Sequence, residues 1–243
     1  MSFSKEKLQH YLDTFYYDTY FERCLEQEQY KWEALRRFQS IWPLVVDADS
    51  DEQLTKRLKE LVTSLENLLN GSNFFAKSNL KKCAINFPKE TRKTLFELYR
   101  SGPISIPQFE KSFQGIIKEL NGTYSQNDGF NGSRTASLFL FFMAPEKYYF
   151  FKSNEYNAVR KLIDYQADKS RSDYENCQEM SAELLSVLKS DSRFMAPYIK
   201  LNEIYDNIDP EYHLAIQDLL WSTQYYQHYL KNGGKQEKTQ ITS

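Results

Sequence analysis

A mainly α-helical chain is what the sequence predicts: an irregular multi-helix domain with an aromatic core and at most a short β element near residues 147–152. Three observations carry this. Apolar residues recur at spacings of three and four along most of the 243 residues. Pro, Ser, Asn and Asp punctuate those stretches where helices begin and end. The run LFLFFMAPEKYYFFKSNEY, Leu138 to Tyr156, is the most densely aromatic part of the chain, and large rings bury roughly 150 to 250 Å² each.

The elements follow in order. Ser4 can cap a helix carrying Leu8, Tyr11, Leu12, Phe15 and Tyr16 on one stripe. A second helix, Tyr30 to Trp42, sets Trp32, Leu35, Phe38 and Trp42 on one side, with Arg36 and Arg37 off it, and Pro43 is expected to stop it. Asp51 opens the clearest helix, with Leu54, Leu58, Leu61, Val62, Leu65, Leu68 and Leu69 at helical spacing and Asn70 and Gly71 as its stop. Pro88 suits the first turn of a helix with Leu95, Phe96 and Tyr99 inward, and Pro107 opens another carrying Phe109, Phe113, Ile116, Ile117 and Leu120. Asn121 to Ser133 is rich in Gly, Asn and Ser and reads as an exposed loop.

Pro145 pushes Ala144 toward an extended conformation, so the apolar helix ending near Met143 turns a corner into a short extended piece. In it, Tyr148 and Phe150 share one face with Lys152, while Tyr149 and Phe151 share the other with Lys147. Asn154 can then cap a helix holding Tyr156, Val159, Leu162 and Ile163. Ser172 starts another with Cys177, Met180, Leu184, Leu185 and Leu188. Pro197 begins or kinks the next, and Pro210 opens a last helix through Tyr229.

These elements are read as one domain over 1–231, with a hinge candidate in the polar connection near 166–172 and a flexible tail at 232–243. The 41% hydrophobic content supports a core, while a net charge of −2 argues against a wholesale nucleic-acid coat and leaves only local patches. Three cysteines without a CxxC pair read as reduced structural thiols. The N-terminus has no apolar signal core, and the longest apolar run falls short of the roughly 20 residues a membrane helix needs. A cytoplasmic protein without membrane contact is expected.

No Walker loop occurs. His10, His213 and His228 stand at no metal-ligand spacing, and His213 and His228 read as surface residues, so no metal, cofactor or catalytic residue is assigned. Two features remain for binding. In the window Lys77 to Lys93, Lys77, Lys81, Lys82, Lys89, Arg92 and Lys93 face only Glu90 as an opposing charge, and such a window either neutralises phosphates or is a solvated helix face. Lys147 and Lys152 interleave with Tyr148, Tyr149, Phe150 and Phe151, a pattern that stacks a base or, more often, forms core.

Taken together, YKWEALRRFQSIW, LTKRLKELVTSLENLL, FFAK and LFLFFMAPEKYYFFKSNEYNAV, in this order and spacing, resemble the N-terminal region of McrB-like AAA+ restriction proteins over roughly Tyr30 to Tyr226. The most specific block is the bulky apolar run, proline, an acidic residue, Lys147, Tyr148, Tyr149, two rings and Lys152. The resemblance implies a helical module ahead of a nucleotide-hydrolysing motor, in cis or in trans, that works with a separate nuclease subunit against foreign or modified DNA. The leading expectation is thus a noncatalytic targeting module of a phage-defence system that contacts double-stranded DNA through Lys77 to Lys93 and Lys147 and Lys152. The alternative is a protein-interaction or scaffold domain of the same kind of complex, and an enzyme with an unrecognised site is a third reading.

Overall fold

The apolar spacing is realised as helix after helix in an all-α fold with aromatic clusters. The computed structural model describes residues 2–65, 68–71, 74–122 and 132–231. Most of the loop expected at 121–133, and the tail expected at 232–243, lie outside the described residues. The chain divides into two compact units, where the sequence reading expects one domain: Met1–Gln29 with Lys152–Tyr198 and Leu214–Ser243, and Tyr30–Phe151 with Ile199–His213.

In the first unit Ser4 caps α1 (Lys5–Tyr11), its hydroxyl accepting from the Lys7 amide at 3.3 Å. The helix continues into a π-helical stretch, Leu12–Tyr20, and then α2 (Phe21–Val46). The wider i→i+5 turn accompanies three consecutive buried rings, Phe15, Tyr16 and Tyr17. Their partners come from α10 (Ser192–Ile204) and α11 (His213–Lys231). Tyr16 meets the Tyr198 hydroxyl at 3.0 Å, Phe15 packs on Tyr226, and the Tyr11 and Ser222 hydroxyls bond each other. Asp191 accepts from Tyr17 at 2.5 Å through one oxygen and caps α10 through the other, at the Arg193 and Phe194 amides. That cap starts α10 well before Pro197, which lies inside the helix.

Between α8 (Ser153–Leu162) and α9 (Asp173–Leu188) runs the segment near 166–172. Asn176 ties it down: its side-chain oxygen accepts from the Asp168 amide, and its amide donates to the carbonyls of Asp168, Arg171 and Ser172. Ser172 and Glu175 close the capping box that starts α9. The α8 helix starts one residue before Asn154, with Lys152 at the capping position and no side-chain cap.

In the second unit α2 passes through Pro43 and ends at Val46, so the expected stop is corrected. Proline removes one hydrogen bond near the helix end and the turn still closes, Asp47 donating to the Pro43 carbonyl at 3.0 Å. Ser50 caps α3 (Asp51–Ser64), which stops short of the expected Asn70, although Leu65, Leu68 and Leu69 stay buried. A two-residue antiparallel pair, β1 (Asn70–Gly71) with β2 (Phe74–Phe75), precedes α4 (Ala76–Asn86) and α5 (Pro88–Ser101). Thr91, Thr94, Leu95 and Leu98 form the inner stripe of α5. Tyr99, expected inward, is 46% exposed and leans its edge on Trp42, because it sits one step past that stripe.

A 3-10 turn, Gly102–Ser105, leads into α6 (Ile106–Asn121), and α7 (Gly132–Met143) supplies the centre of the unit, where Phe139 and Phe142 pack on Phe38. The chain turns at Pro145 and runs irregularly through Tyr148–Phe151, unpaired with any described strand. Its backbone bonds to side chains instead. Ser137 Oγ accepts from the Phe151 amide at 3.1 Å, and His213 Nδ1 lies 2.9 Å from the Tyr148 carbonyl. Gly102 is required beside it: its φ of +64° is in the glycine region, and a Cβ there would stand 2.8 Å from the Tyr148 hydroxyl.

Candidate nucleic-acid interface

Helix α4 buries Ala76, Asn79, Leu80, Cys83 and Ala84. That stripe fixes what is left outside: Lys81 and Lys82 are exposed and Lys77 is half-buried. The helix contains no Asp or Glu. Its inner face is inert, since burial pushes the Cys83 thiol up to about 12.

The remaining predicted cations lie in different settings. On α5, Lys89 pairs with Asp51 at 2.9 Å and Lys93 stands 4.0 Å from Glu97, both exposed contacts of little energetic weight. Arg92 turns inward and donates to the Ala48 carbonyl at 2.9 Å, just past the end of α2, which makes it a tie between elements. Lys147 is exposed and stands 3.7 Å from Glu146.

Lys152 is the residue the fold removes from the surface. Its side chain is 15% exposed and its ammonium donates to Glu155 at 2.8 Å, a carboxylate only 1% exposed. Gln217 donates to the same carboxylate at 2.6 Å and Gln224 at 3.3 Å, while the Trp221 ring lies 4.7 Å from the Lys152 ammonium. A cation held by a buried carboxylate and an aromatic face is a core element. The rings beside it are core as well: Tyr149, Phe150 and Phe151 are buried, and Tyr148 is half-buried against Gly102. No three of these rings are left open to stack bases.

His213, read as a surface residue from its place at a helix start, is 6% exposed and is corrected here. The reason is tertiary. Asp209 accepts from its backbone amide at 3.0 Å, and Tyr149 covers its ring. The side chain of His228 lies outside the described residues.

One feature escaped the sequence reading. A cleft of about 840 Å³ opens along the outer face of α3 and is lined by Arg37 and Ile41 of α2 and by Lys56, Lys59 and Thr55 among others. The only sequence signal was an ordinary charged helix face, which also describes a solvated one. Among the described residues no group of three or more His, Cys, Asp or Glu side chains is placed to hold a metal ion, and no helix is long and apolar enough to cross a membrane.

Fold and site define an all-α protein with a small acid-free basic helix face. Comparison with protein-family models, curated proteins and solved structures finds no match. The McrB-like resemblance therefore rests on the quoted residues alone.

Proposed function

We propose that the chain is a noncatalytic DNA-contacting module of a cytoplasmic, McrB-like defence complex, with the outer face of α4 meeting duplex phosphates. The observation that carries this reading is Lys81 and Lys82, exposed side by side on a helix without a carboxylate. Lys89 and Lys93 extend the cationic surface along α5, since their exposed pairs are weak enough to exchange for phosphate. Buried aromatics leave no base-reading platform in the Tyr148–Phe151 segment, so the module holds the backbone and does not read sequence through those rings. A motor and a nuclease, as the resemblance implies, would supply the chemistry.

The second reading, a protein-interaction domain, is favoured by Ile104, 87% exposed on the 3-10 turn that follows α5. Fluorescence anisotropy with a labelled duplex across a salt series separates the two. Weak binding is expected, roughly 10⁻⁴ to 10⁻⁶ M at physiological salt, with Lys81→Glu/Lys82→Glu nearly abolishing it and flattening the salt dependence. A methylated duplex measures any preference for modified bases. Absence of binding to either duplex at low salt excludes DNA contact and leaves the interaction reading.

A further inference from the structure

We infer that Asn121 is a self-modification site, where the backbone nitrogen of Gly122 attacks the Asn121 side-chain amide and water then converts it to a carboxylate. Asn is among the chemically labile residues, and a following glycine leaves the attacking nitrogen accessible because no Cβ stands beside it. The sequence contains four Asn–Gly pairs, at 70–71, 121–122, 131–132 and 232–233. Pairs 70–71 and 121–122 lie within the described residues. Which of them reacts depends on the fold, since regular backbone structure keeps the nitrogen off the side-chain carbon.

Asn121 is the last residue of α6, and both it and Gly122 are exposed. Gly122 ends the helix at φ +74° and ψ −20°, the left-handed conformation that glycine favours. A Cβ placed on Gly122 would meet nothing within 4 Å, so the space around this peptide is open. The Asn121 carboxamide makes no hydrogen bond among the described residues, whereas Asn86, the last residue of α4, donates to the Lys82 carbonyl at 2.9 Å. Attack requires Asn121 to leave the helical conformation, and at a helix end that opening gives up only the final turn. The other pair is held on both residues: Asn70 and Gly71 form β1, in register with Phe75 and Phe74 of β2.

The step balances without an oxidant or reductant. Hydroxide takes the Gly122 amide proton, the nitrogen bonds to Asn121 Cγ, and the carboxamide nitrogen leaves as ammonia, closing a succinimide. Water opens that ring at either carbonyl. One opening gives a normal aspartyl residue, and the other gives an isoaspartyl residue whose main chain runs through Cγ. Either product puts a negative charge at the C-terminal end of α6, where the helix dipole opposes it.

The test follows the full chain in mildly alkaline buffer, with and without urea, by peptide mapping and mass spectrometry against a zero-time digest. In the native chain the peptide containing Asn121–Gly122 should gain the mass of an O-for-NH exchange and split into two isomers, several-fold faster than the peptide containing Asn70–Gly71. In urea the two rates should converge. Enzymatic methylation of isoaspartate should label the aged parent at this position and spare Asn121→Gln, whose longer side chain closes a ring poorly. Reaction should quicken as pH rises, since hydroxide removes the amide proton. A native Asn121 that stays intact while it reacts in urea overturns the inference. Equal native rates at Asn70 and Asn121 overturn it too, because the fold would then make no selection.

Discussion

The Tyr149 ring lies flat on the imidazole of His213, with 3.8 Å between centroids and 27° between planes. The imidazole is held on its other edge, where Nδ1–H donates to the Tyr148 carbonyl, so one histidine satisfies the backbone of the aromatic segment and covers its ring. Burial, with the Asp209 and Glu211 carboxylates beside it, pushes the Tyr149 phenol well above its ordinary value. Truncation of Tyr149 to Ala should cost about 3 to 5 kcal/mol, as for a buried aromatic, whereas Tyr149→Phe keeps the stack and most of the stability. Urea denaturation of both variants checks this. Equal midpoints for Tyr149→Ala and the parent would show the ring to be outside the core.

Lys152 and Glu155 form a buried pair, and removing one partner leaves the other charge uncompensated. Glu155→Ala or Lys152→Ala should each destabilise by about 3 to 5 kcal/mol, and the double variant by much less than their sum. A double-mutant cycle on urea midpoints measures the coupling. The duplex salt slope of Lys152→Met should match the parent, because this lysine does not face solvent; a slope lowered by about one would return it to the DNA-contacting set.

The polar connection near 166–172 looks like a hinge in composition, yet Asn176 makes four hydrogen bonds to it. Asn176→Ala removes these bonds from the part-buried backbone of Asp168, Arg171 and Ser172 and should cost roughly 1 to 3 kcal/mol. Limited proteolysis should then cut the variant within 166–172 and spare the parent. Early cutting of the parent in this segment would contradict the tie.

Burial pushes the thiols of Cys83 and Cys177 up from 9.0 to about 12 in the folded chain. The folded state thus keeps protons that the unfolded chain gives up, and stability from these groups is complete below pH 9 and lost as pH rises through 9 to 12. Denaturation series at rising pH should show midpoints falling across that window, and Cys83→Ser/Cys177→Ser should flatten the fall. At pH 8 a thiol reagent should modify neither cysteine until the chain unfolds; fast labelling of either in the native protein would place it at the surface.

Much of the fold was legible because helix burial is a local, periodic property. The spacing of Leu54, Leu58, Leu61 and Val62 placed those side chains inside before any partner was known, and Ser172 marked the start of α9. Helix ends were less legible where tertiary packing outweighed local signals, as at Pro43, where one lost hydrogen bond near a helix terminus is a small penalty beside the continued burial of Trp42 and Val45. The candidate site divided the same way.

By itself the sequence determined the all-α class, the inward stripes and the position of a basic window, since each is set by the order of neighbouring residues. Only the tertiary structure decided which cations of that window and of the aromatic segment remain outside. Lys152 and Lys147 flank the same four rings, yet one is sealed under Trp221 by Gln217, a residue 62 positions from Glu155, and the other stands in solvent. Burial and pairing of a charge depend on what the fold brings to it from far along the chain, and no local pattern encodes that partner.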